Sequence, residues 1–242
     1  MNLTTYESAS VVSYYTSLDG LFPGEQALFE VVRQTYPDPD MLDIGIGTGR
    51  TTLKLAPECR SYVGLDYSEA MVAEGRKACD DRFSIFRADA RNMDQIPSES
   101  CDFVLFSYNG IDYVSHQDRL DILAEVRRVC RPGAFFGFST HNLRAVERDF
   151  APQANSPKAL AKSLLKHALN FPLDAKLKQP HAVLNDGAHN FGLRTYYVRP
   201  DEQILQLKAA GFGQVRLFGF HTGREIAPTD DDLFPYYLCV AE

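Results

Sequence analysis

Short apolar runs recur along this chain with helix-like segments between them, and this alternation limits the possible folds more than any other feature. Five such runs occupy residues 41–46, 62–65, 83–86, 103–106 and 134–138, and two further strands are predicted at 214–218 and 236–240. Some are apolar at every position, as in Phe103-Val-Leu-Phe106, which is typical of parallel strands covered by helices on both faces. Repeated strand, helix and strand units predict right-handed crossovers and a doubly wound α/β sheet.

The C-terminal part follows a different pattern. Pro200 opens a helix carrying Ile204, Leu205 and Leu207, Gly211 ends it, and the last two predicted strands follow. The linker between these strands is too short for another crossover helix, so we expect the two strands to pair in antiparallel fashion. The predicted fold is therefore a mostly parallel seven-stranded sheet with an antiparallel C-terminal edge strand.

The chain divides into four predicted parts: an N-terminal helical cap (1–35), a core (36–140), an insertion after the fifth strand (141–195) and the C-terminal part of the core (196–242). The insertion has a local charge of +4, from Arg144, Arg148, Lys158, Lys162, Lys166, Lys176, Lys178 and Arg194 against Glu147, Asp149, Asp174 and Asp186. It is either a lid at the ligand edge of the sheet or a solvated loop with one amphipathic helix.

Charge and composition narrow the class of protein. The net charge of −7 argues against broad attachment to nucleic acid or to an anionic membrane. The longest stretch without a charged residue, 132–143, is shorter than the ~18 residues of a membrane span, and a basic targeting segment is absent at the start. A cytoplasmic protein is expected. The five cysteines form no CxxC pair, so we predict buried thiols and no metal site.

A glycine-rich turn carries the strongest functional signal. It reads Met41-Leu-Asp-Ile-Gly-Ile-Gly-Thr-Gly49, a strand followed by a turn and then a helix from about Thr48. The dinucleotide pattern GxGxxG requires glycine at position 50, where the chain has Arg50. Asp43 precedes the turn, and an acid there suits a ligand with an ammonium or sulfonium charge better than a pyrophosphate.

Two further acids follow the next two strands. Asp66, at the end of the second strand, is placed to accept both hydroxyls of a ribose, although an Asp before Ser68 also suits a helix N-cap. Asp89 follows the third strand, where it would accept an adenine amine or act as an ordinary turn aspartate.

Together the glycine turn and the three acids resemble those of class I S-adenosylmethionine-dependent methyltransferases, over roughly residues 36–140 and 196–242. The resemblance implies a Rossmann-like core and S-adenosylmethionine as cofactor. Arg131-Pro-Gly-Ala134 resembles the family's turn before the fifth strand, with Ala134 where a second glycine is usual. The predicted cofactor-binding residues are Tyr15, Asp43, Gly45, Ile46, Gly47, Gly49, Asp66, Tyr67, Met71, Asp89, Ala90, Ser107 and Asn109. Tyr14 and Tyr15, on the N-terminal segment, either fold over the cofactor as a lid or only seal the sheet.

Four aromatic or imidazole side chains are candidates for the reaction centre. Tyr108, at the end of the fourth strand, is predicted to contact the substrate or the methyl group. His141, just after the fifth strand, would serve as a general base or form structural hydrogen bonds. Tyr196 and Tyr197 would line the acceptor pocket or pack in the core. His116 and His221 are weaker candidates because neither has an acid partner nearby in the sequence.

The predicted function is methyl transfer by in-line displacement to N or O of a small-molecule acceptor, without nucleic acid or membrane as partner. Two alternatives remain open at this point. A regulator that binds the cofactor without catalysis would keep the same turn and acids. An NAD(P)-dependent oxidoreductase is disfavoured, because none of the twelve tyrosines has a lysine four residues later.

Overall fold

A computed structural model describes residues 3–146, 150, 156–188 and 191–242 of the chain. Glu147, Arg148 and Asp149, which contribute to the predicted charge of the insertion, lie outside the described residues. The described strands are β1 (Asp40–Ile44), β2 (Ser61–Asp66), β3 (Ser84–Arg87), β4 (Cys101–Phe106), β5 (Cys130–Ser139), β6 (His141–Asn142), β7 (His181–Leu184), β8 (Thr195–Val198), β9 (Phe212–Phe218), β10 (Glu225–Ile226) and β11 (Tyr236–Ala241).

Helices alternate with the strands of the first half and continue through the insertion. Those described are α1 (Leu3–Tyr6), α2 (Ala9–Thr16), α3 (Pro23–Thr35), α4 (Arg50–Leu55), α5 (Glu69–Ala78), α6 (His116–Val129), α7 (Pro157–Leu169), α8 (Leu173–Leu177) and α9 (Pro200–Ala209). The first predicted helix of the core begins at Arg50 rather than near Thr48, because Gly49 still has a φ of +90° and the chain is not yet helical there.

The core is the predicted doubly wound parallel sheet. Strands β3, β2, β1, β4 and β5 lie side by side in parallel, and every residue of β4 is buried. Side chains alternate across the sheet, so Val104 packs in the core that contains Val126 of α6, whereas Phe103 packs on the opposite face with Leu28 of α3. Helices on both faces explain why the strands are apolar throughout.

The C-terminal strand is antiparallel, as predicted, but its position and the strand count differ from the prediction. β11 lies between β5 and β9 and pairs with both, with Tyr236 opposite Ser139 and Phe218, so it is not an edge strand. This internal position gives its backbone hydrogen-bond partners on both sides. The short strand β10 pairs with β9 at the edge, so the sheet has eight strands within the described residues rather than seven.

The predicted insertion contains a small second sheet that the sequence did not reveal. Strand β8 lies between β6, which is parallel to it, and β7, which is antiparallel. Tyr197 of β8 packs in a separate core with Leu143, Val146 and Leu184. Consequently, Thr195–Val198 belongs to this second sheet and not to the main one.

Candidate active site

A cavity of about 410 Å³ opens at the carboxyl ends of β1, β2 and β4, beside the N-terminal helices. Ligands of open α/β sheets bind at this edge, and a volume of ~300–1,000 Å³ is usual for a small-molecule site. Of the residues predicted from the sequence, those that line the cavity are Tyr15, Gly45, Gly47, Asp66, Tyr67, Met71, Asp89, Ala90, Ser107 and Tyr108.

The glycine turn gives the cavity a backbone wall. Gly47 has a φ of +56°, a conformation that favours glycine, and its N–H donates to Asp66 Oδ2 at 2.9 Å. Gly49 lies away from the cavity and has a different role: a Cβ there would stand 3.4 Å from the Cα of Gly75 in α5. Gly49 thus permits the close approach of the turn and α5. It does not line the cavity, although the sequence predicted it as a cofactor-binding residue.

Asp66 is the buried acid of the cavity. Its Oδ2 accepts from Gly47, and its Oδ1 accepts the N–H of Ser68 at 2.9 Å. Burial raises the pKa of this carboxyl to about 6. The N-cap of α5 is Ser68, whose Oγ accepts from Met71 N at 3.2 Å, so the interpretation of Asp66 as the cap is wrong.

Besides Gly49, three predicted cofactor residues lie outside the cavity lining. Asp43 is buried on the α3 face, where its carboxylate accepts from Thr51 (2.5 Å) and Tyr62 (2.8 Å), and burial raises its pKa to about 7. Ile46 turns its side chain into the apolar cluster behind the turn. Asn109 is buried, and its side-chain Oδ1 has no hydrogen-bond partner among the described residues. The position of the Asp43 side chain follows from strand alternation, because the side chains of Leu42 and Ile44 point to the opposite face of the sheet.

Asp89 performs the turn role and also lines the cavity. Its Oδ1 accepts the N–H of Arg91 at 3.0 Å, and its carboxylate pairs with the Arg91 guanidinium, which holds the pKa of Asp89 below its ordinary value. Arg91 also pairs with Asp118 of α6 at 2.9 Å. Neither Arg91 nor Asp118 could be identified from a local sequence pattern, because their contact joins separate elements.

Tyrosines form the opposite wall of the cavity. Tyr6 of α1 contacts the rings of Tyr15, Tyr67 and Tyr113 at centroid distances of 6.1, 5.8 and 5.7 Å. Burial raises the pKa of Tyr15 to about 12, so its hydroxyl stays neutral near pH 7. Neither Tyr6 nor Tyr113 was predicted as a site residue. The group of tyrosines near the N-terminus was a usable signal for Tyr6.

Tyr108 stands between the cavity and the N-terminal cap. Its hydroxyl lies 3.0 Å from that of Tyr14, and its ring stacks on Phe22 with a centroid distance of 5.1 Å. These contacts tie the end of β4 to α2 and to the start of α3. Tyr15 lines the cavity, whereas Tyr14 of the same helix lies outside the lining and contacts Tyr108.

Arg50, which breaks the dinucleotide pattern, joins the glycine turn to α3. Its guanidinium contacts both carboxylate oxygens of Glu25, at 2.5 and 2.6 Å, and it lies 4.4 Å from the centre of the Phe22 ring. Glu25 also accepts from the hydroxyls of Ser107 and Tyr236. The Ser107 hydroxyl is thus engaged with Glu25, a residue that no local motif marked.

His141, Tyr196 and Tyr197 do not line the cavity, which contradicts their predicted catalytic and substrate-binding roles. His141 Nδ1 lies 2.7 Å from Asp112 Oδ2, and its ring is buried where β5 continues into the second sheet. Tyr196 is buried and bonds His116 Nδ1 at 2.8 Å, and Tyr197 donates to Asp186 at 3.1 Å. All three support the second sheet.

The two weaker histidine candidates also lie outside the cavity lining. His116 stacks on His181 with a centroid distance of 4.1 Å, and His221 contacts the Phe220 ring at 4.8 Å. In the described part of the chain, no group of three or more His, Cys, Asp or Glu side chains is arranged to hold a metal ion.

Comparison with known proteins identifies the domain. Residues 41–133 match a family model described as a methyltransferase domain. A demethylmenaquinone methyltransferase of Clavibacter sepedonicus is 30% identical over 182 residues, which are 72% of this chain and 66% of that protein. A probable S-adenosylmethionine-dependent methyltransferase of Mycolicibacterium smegmatis is 29% identical over 136 residues, 56% of this chain and 49% of that protein. The chain spans between about half and two thirds of the length of these relatives.

The fold of this chain also resembles that of solved methyltransferase structures. An S-adenosylmethionine-dependent methyltransferase from Clostridium acetobutylicum superimposes with a TM-score of 0.66 at 12% identity, and the match covers 94% of each chain. At this identity the likeness concerns the fold alone. The domain match at 41–133 and the curated relatives show that the chain belongs to the S-adenosylmethionine-dependent methyltransferase family, whose cofactor is S-adenosylmethionine, and the superposition shows that its fold is the class I, Rossmann-like one.

Proposed function

We propose that this chain transfers a methyl group from S-adenosylmethionine to a nitrogen or oxygen atom of a small-molecule acceptor. The observation that carries the proposal is a single cavity with a buried carboxylate, Asp66, on one wall and tyrosines of the N-terminal helices on the other. The first wall suits a nucleoside sugar, and the second suits a positively charged or planar group.

The residues present fit the cofactor. The Asp66 carboxylate accepts the backbone N–H groups of Gly47, Ser68 and Tyr67, and a carboxylate has about four acceptor sites, so capacity is left for a ribose hydroxyl. Beside Gly47 the nearest atom to an added Cβ would be Tyr15 Cδ1 at 3.6 Å, so the turn leaves room for a ligand. Tyrosine faces attract a sulfonium through the ring quadrupole.

When bound, S-adenosylmethionine supplies an electrophilic methyl group on a sulfonium. The chain's own residues then have to align the acceptor and exclude water, which contributes ~7–11 kcal/mol when the alignment is very good. Tyr15 covers the cavity. Tyr108 holds the acceptor with a hydroxyl that stays protonated, because burial raises its pKa.

No histidine lines the cavity among the described residues, and His141 is engaged by Asp112 outside it. An acceptor that attacks without prior loss of a proton fits this lining best. A neutral amine meets the requirement, because it releases its proton after transfer, and so does an oxygen that is already ionised.

A methyl-transfer assay tests the proposal directly. Purified protein is mixed with labelled S-adenosylmethionine and a panel of amines, carboxylates, phenols and demethylmenaquinone, the last because it is named in the Clavibacter relative. We expect turnover with at least one nitrogen or oxygen acceptor. Donor binding without turnover on the whole panel would instead support the regulator, and NAD(H) binding without donor binding would support the oxidoreductase.

Donor affinity should depend on pH through Asp66. Its pKa of about 6 lies above the ordinary value for aspartate, and the ionised form is the one that accepts both ribose hydroxyls. Affinity is therefore full above pH 7 and falls about tenfold per unit as the pH drops below 6. Calorimetry from pH 5 to 8 should show this slope in the wild type and none in Asp66→Asn. An equal slope in the two proteins contradicts the assignment.

Removing the Tyr108 hydroxyl should affect the acceptor and not the donor. In Tyr108→Phe the hydrogen bond to Tyr14 and any bond to the acceptor are lost, which we expect to lower kcat/KM about fivefold. The donor Kd should stay within about twofold. Tyr14→Phe is the matched control, because it removes the same bond between the two hydroxyls and leaves the Tyr108 hydroxyl in place. If the two variants lose the same activity, Tyr108 does not contact the acceptor.

A further inference from the structure

Helix α7 of the insertion turns its apolar side chains outward. Leu160, Leu164, Leu165 and Leu169 are 40%, 63%, 46% and 49% exposed, and Phe171, just past its end, is 82% exposed. We call these five residues the leucine surface. Leu160 and Leu164 lie on one strip of the helix and Leu165 and Leu169 on another, with the exposed Ala161 and Ala168 between them. Soluble domains ordinarily bury the apolar side of a helix, and an exposed apolar side marks a contact with something other than water.

The inner side of the same helix is occupied by a charged residue. Lys166 is buried, and its Nζ lies 3.9 Å from the centre of the Phe150 ring, a cation–π contact that favours the inward position. In a helix packed on a core, the leucines are expected on the buried side and the lysine on the exposed side. Here the two positions are reversed. The leucines therefore face outward because the helix is anchored through Lys166.

Lysines border the leucine surface. Lys162 and Lys158 lie three and seven residues before Leu165, so both are on the strip of the helix that carries Leu165 and Leu169, and both are exposed. The Lys162 ammonium also lies 5.8 Å from the centre of the Phe191 ring. The insertion is positive although the chain as a whole has a net charge of −7. Apolar residues beside lysines suit the interface of an anionic bilayer. Phe171 and the leucines would enter the boundary of the acyl chains, and the lysines would contact the lipid headgroups.

We propose that the leucine surface binds the surface of an anionic lipid membrane. A second copy of this chain is a poorer partner, because a symmetric contact would bring the lysines of both copies together. Contact would be peripheral: the described part of the chain holds no helix with the length and apolar character to cross a bilayer. The absence of a membrane partner was predicted from the charge of the whole chain, which hides a local positive face.

The insertion also reaches the cavity, since Val183 and Arg194 are among its lining residues. A membrane contact at the leucine surface would hold this part of the cavity wall close to the bilayer. The proposal itself does not depend on methyl transfer and is tested without it.

Vesicle co-sedimentation of the full-length chain tests the proposal. We expect binding to vesicles of phosphatidylcholine with about one third phosphatidylglycerol, and much weaker binding to phosphatidylcholine alone. Leu164→Ser with Phe171→Ser should weaken binding about tenfold, and Lys158→Gln with Lys162→Gln about 25-fold at low salt. Leu205→Ser is the control, because Leu205 is 60% exposed on α9, outside the leucine surface.

The result that overturns the proposal is equally definite. Wild-type protein that stays in the supernatant with anionic vesicles, or that binds equally well after the paired leucine and phenylalanine substitutions, contradicts it. Sedimentation velocity without lipid identifies the other occupant: a dimer that those substitutions abolish, in a protein that ignores vesicles, assigns the surface to a second copy. Donor calorimetry on the same samples shows separately whether the cavity is intact.

Discussion

Replacing Asp66 with alanine is expected to weaken binding of S-adenosylmethionine by at least about 100-fold. Hydrogen bonds to a charged group contribute ~1.5–3 kcal/mol each, and the variant loses two of them to the ribose. It also leaves the N–H groups of Gly47 and Ser68 without their acceptor, which loosens the turn. Isothermal titration calorimetry at pH 8, with circular dichroism as a check of folding, measures the effect.

Asp89→Asn is the matched control for this experiment. Asp89 is a second carboxylate on the same cavity, but it is shared with Arg91 and is far more exposed than Asp66. We expect its replacement to change the donor Kd by no more than about fivefold. If Asp66→Ala binds the donor as tightly as the wild type, or if Asp89→Asn is the more damaged of the two, the sugar is held elsewhere.

Breaking the pair between Arg50 and Glu25 should cause the largest loss of stability. The side chains are 9% and 0% exposed, so Glu25→Ala leaves a buried guanidinium with its main partner gone. Removing one member of a buried pair costs ~3–5 kcal/mol of the free energy of unfolding. Urea unfolding followed by tyrosine fluorescence gives this quantity, provided that the transition is two-state.

Two further variants make the test specific. Glu58→Ala removes the acid of an exposed pair with Arg33, formed at a similar distance of 2.9 Å, and should cost less than ~1 kcal/mol. Glu25→Met with Arg50→Met should recover part of the loss of Glu25→Ala, because no charge is then buried alone. If the loss in free energy of unfolding of the double variant equals the sum of the losses of the two single variants, burial of an unpaired charge is not the cause.

The sequence predicted those parts of the site that depend on one strand and the turn after it. Asp66 and Gly47 meet because β1 and β2 are adjacent and end at the same edge, which follows from the strand pattern alone. The same pattern placed Tyr108 at the end of β4, on the cavity. The prediction failed for Asp43 by one step of strand alternation, since its side chain points to the opposite face of the sheet.

Contacts between distant elements could not be predicted in this way. Glu25 reaches Arg50 and Ser107 from a helix whose packing no local motif specifies, and Tyr6 meets Tyr113 only after the N-terminal helices have docked. The second sheet was hidden for a similar reason: β6 and β8 are separated by more than fifty residues, and each is too short for a clear signal. His141 was consequently assigned to the cavity, whereas it supports that sheet.

The most direct test is a crystal structure of the full chain with S-adenosylhomocysteine, the product form of the donor. We predict the ligand in the cavity at the carboxyl ends of β1, β2 and β4, with both ribose hydroxyls within hydrogen-bonding distance of the Asp66 carboxylate. A ligand bound at any other place, or one in this cavity whose ribose makes no contact with Asp66, would contradict the assignment of this site.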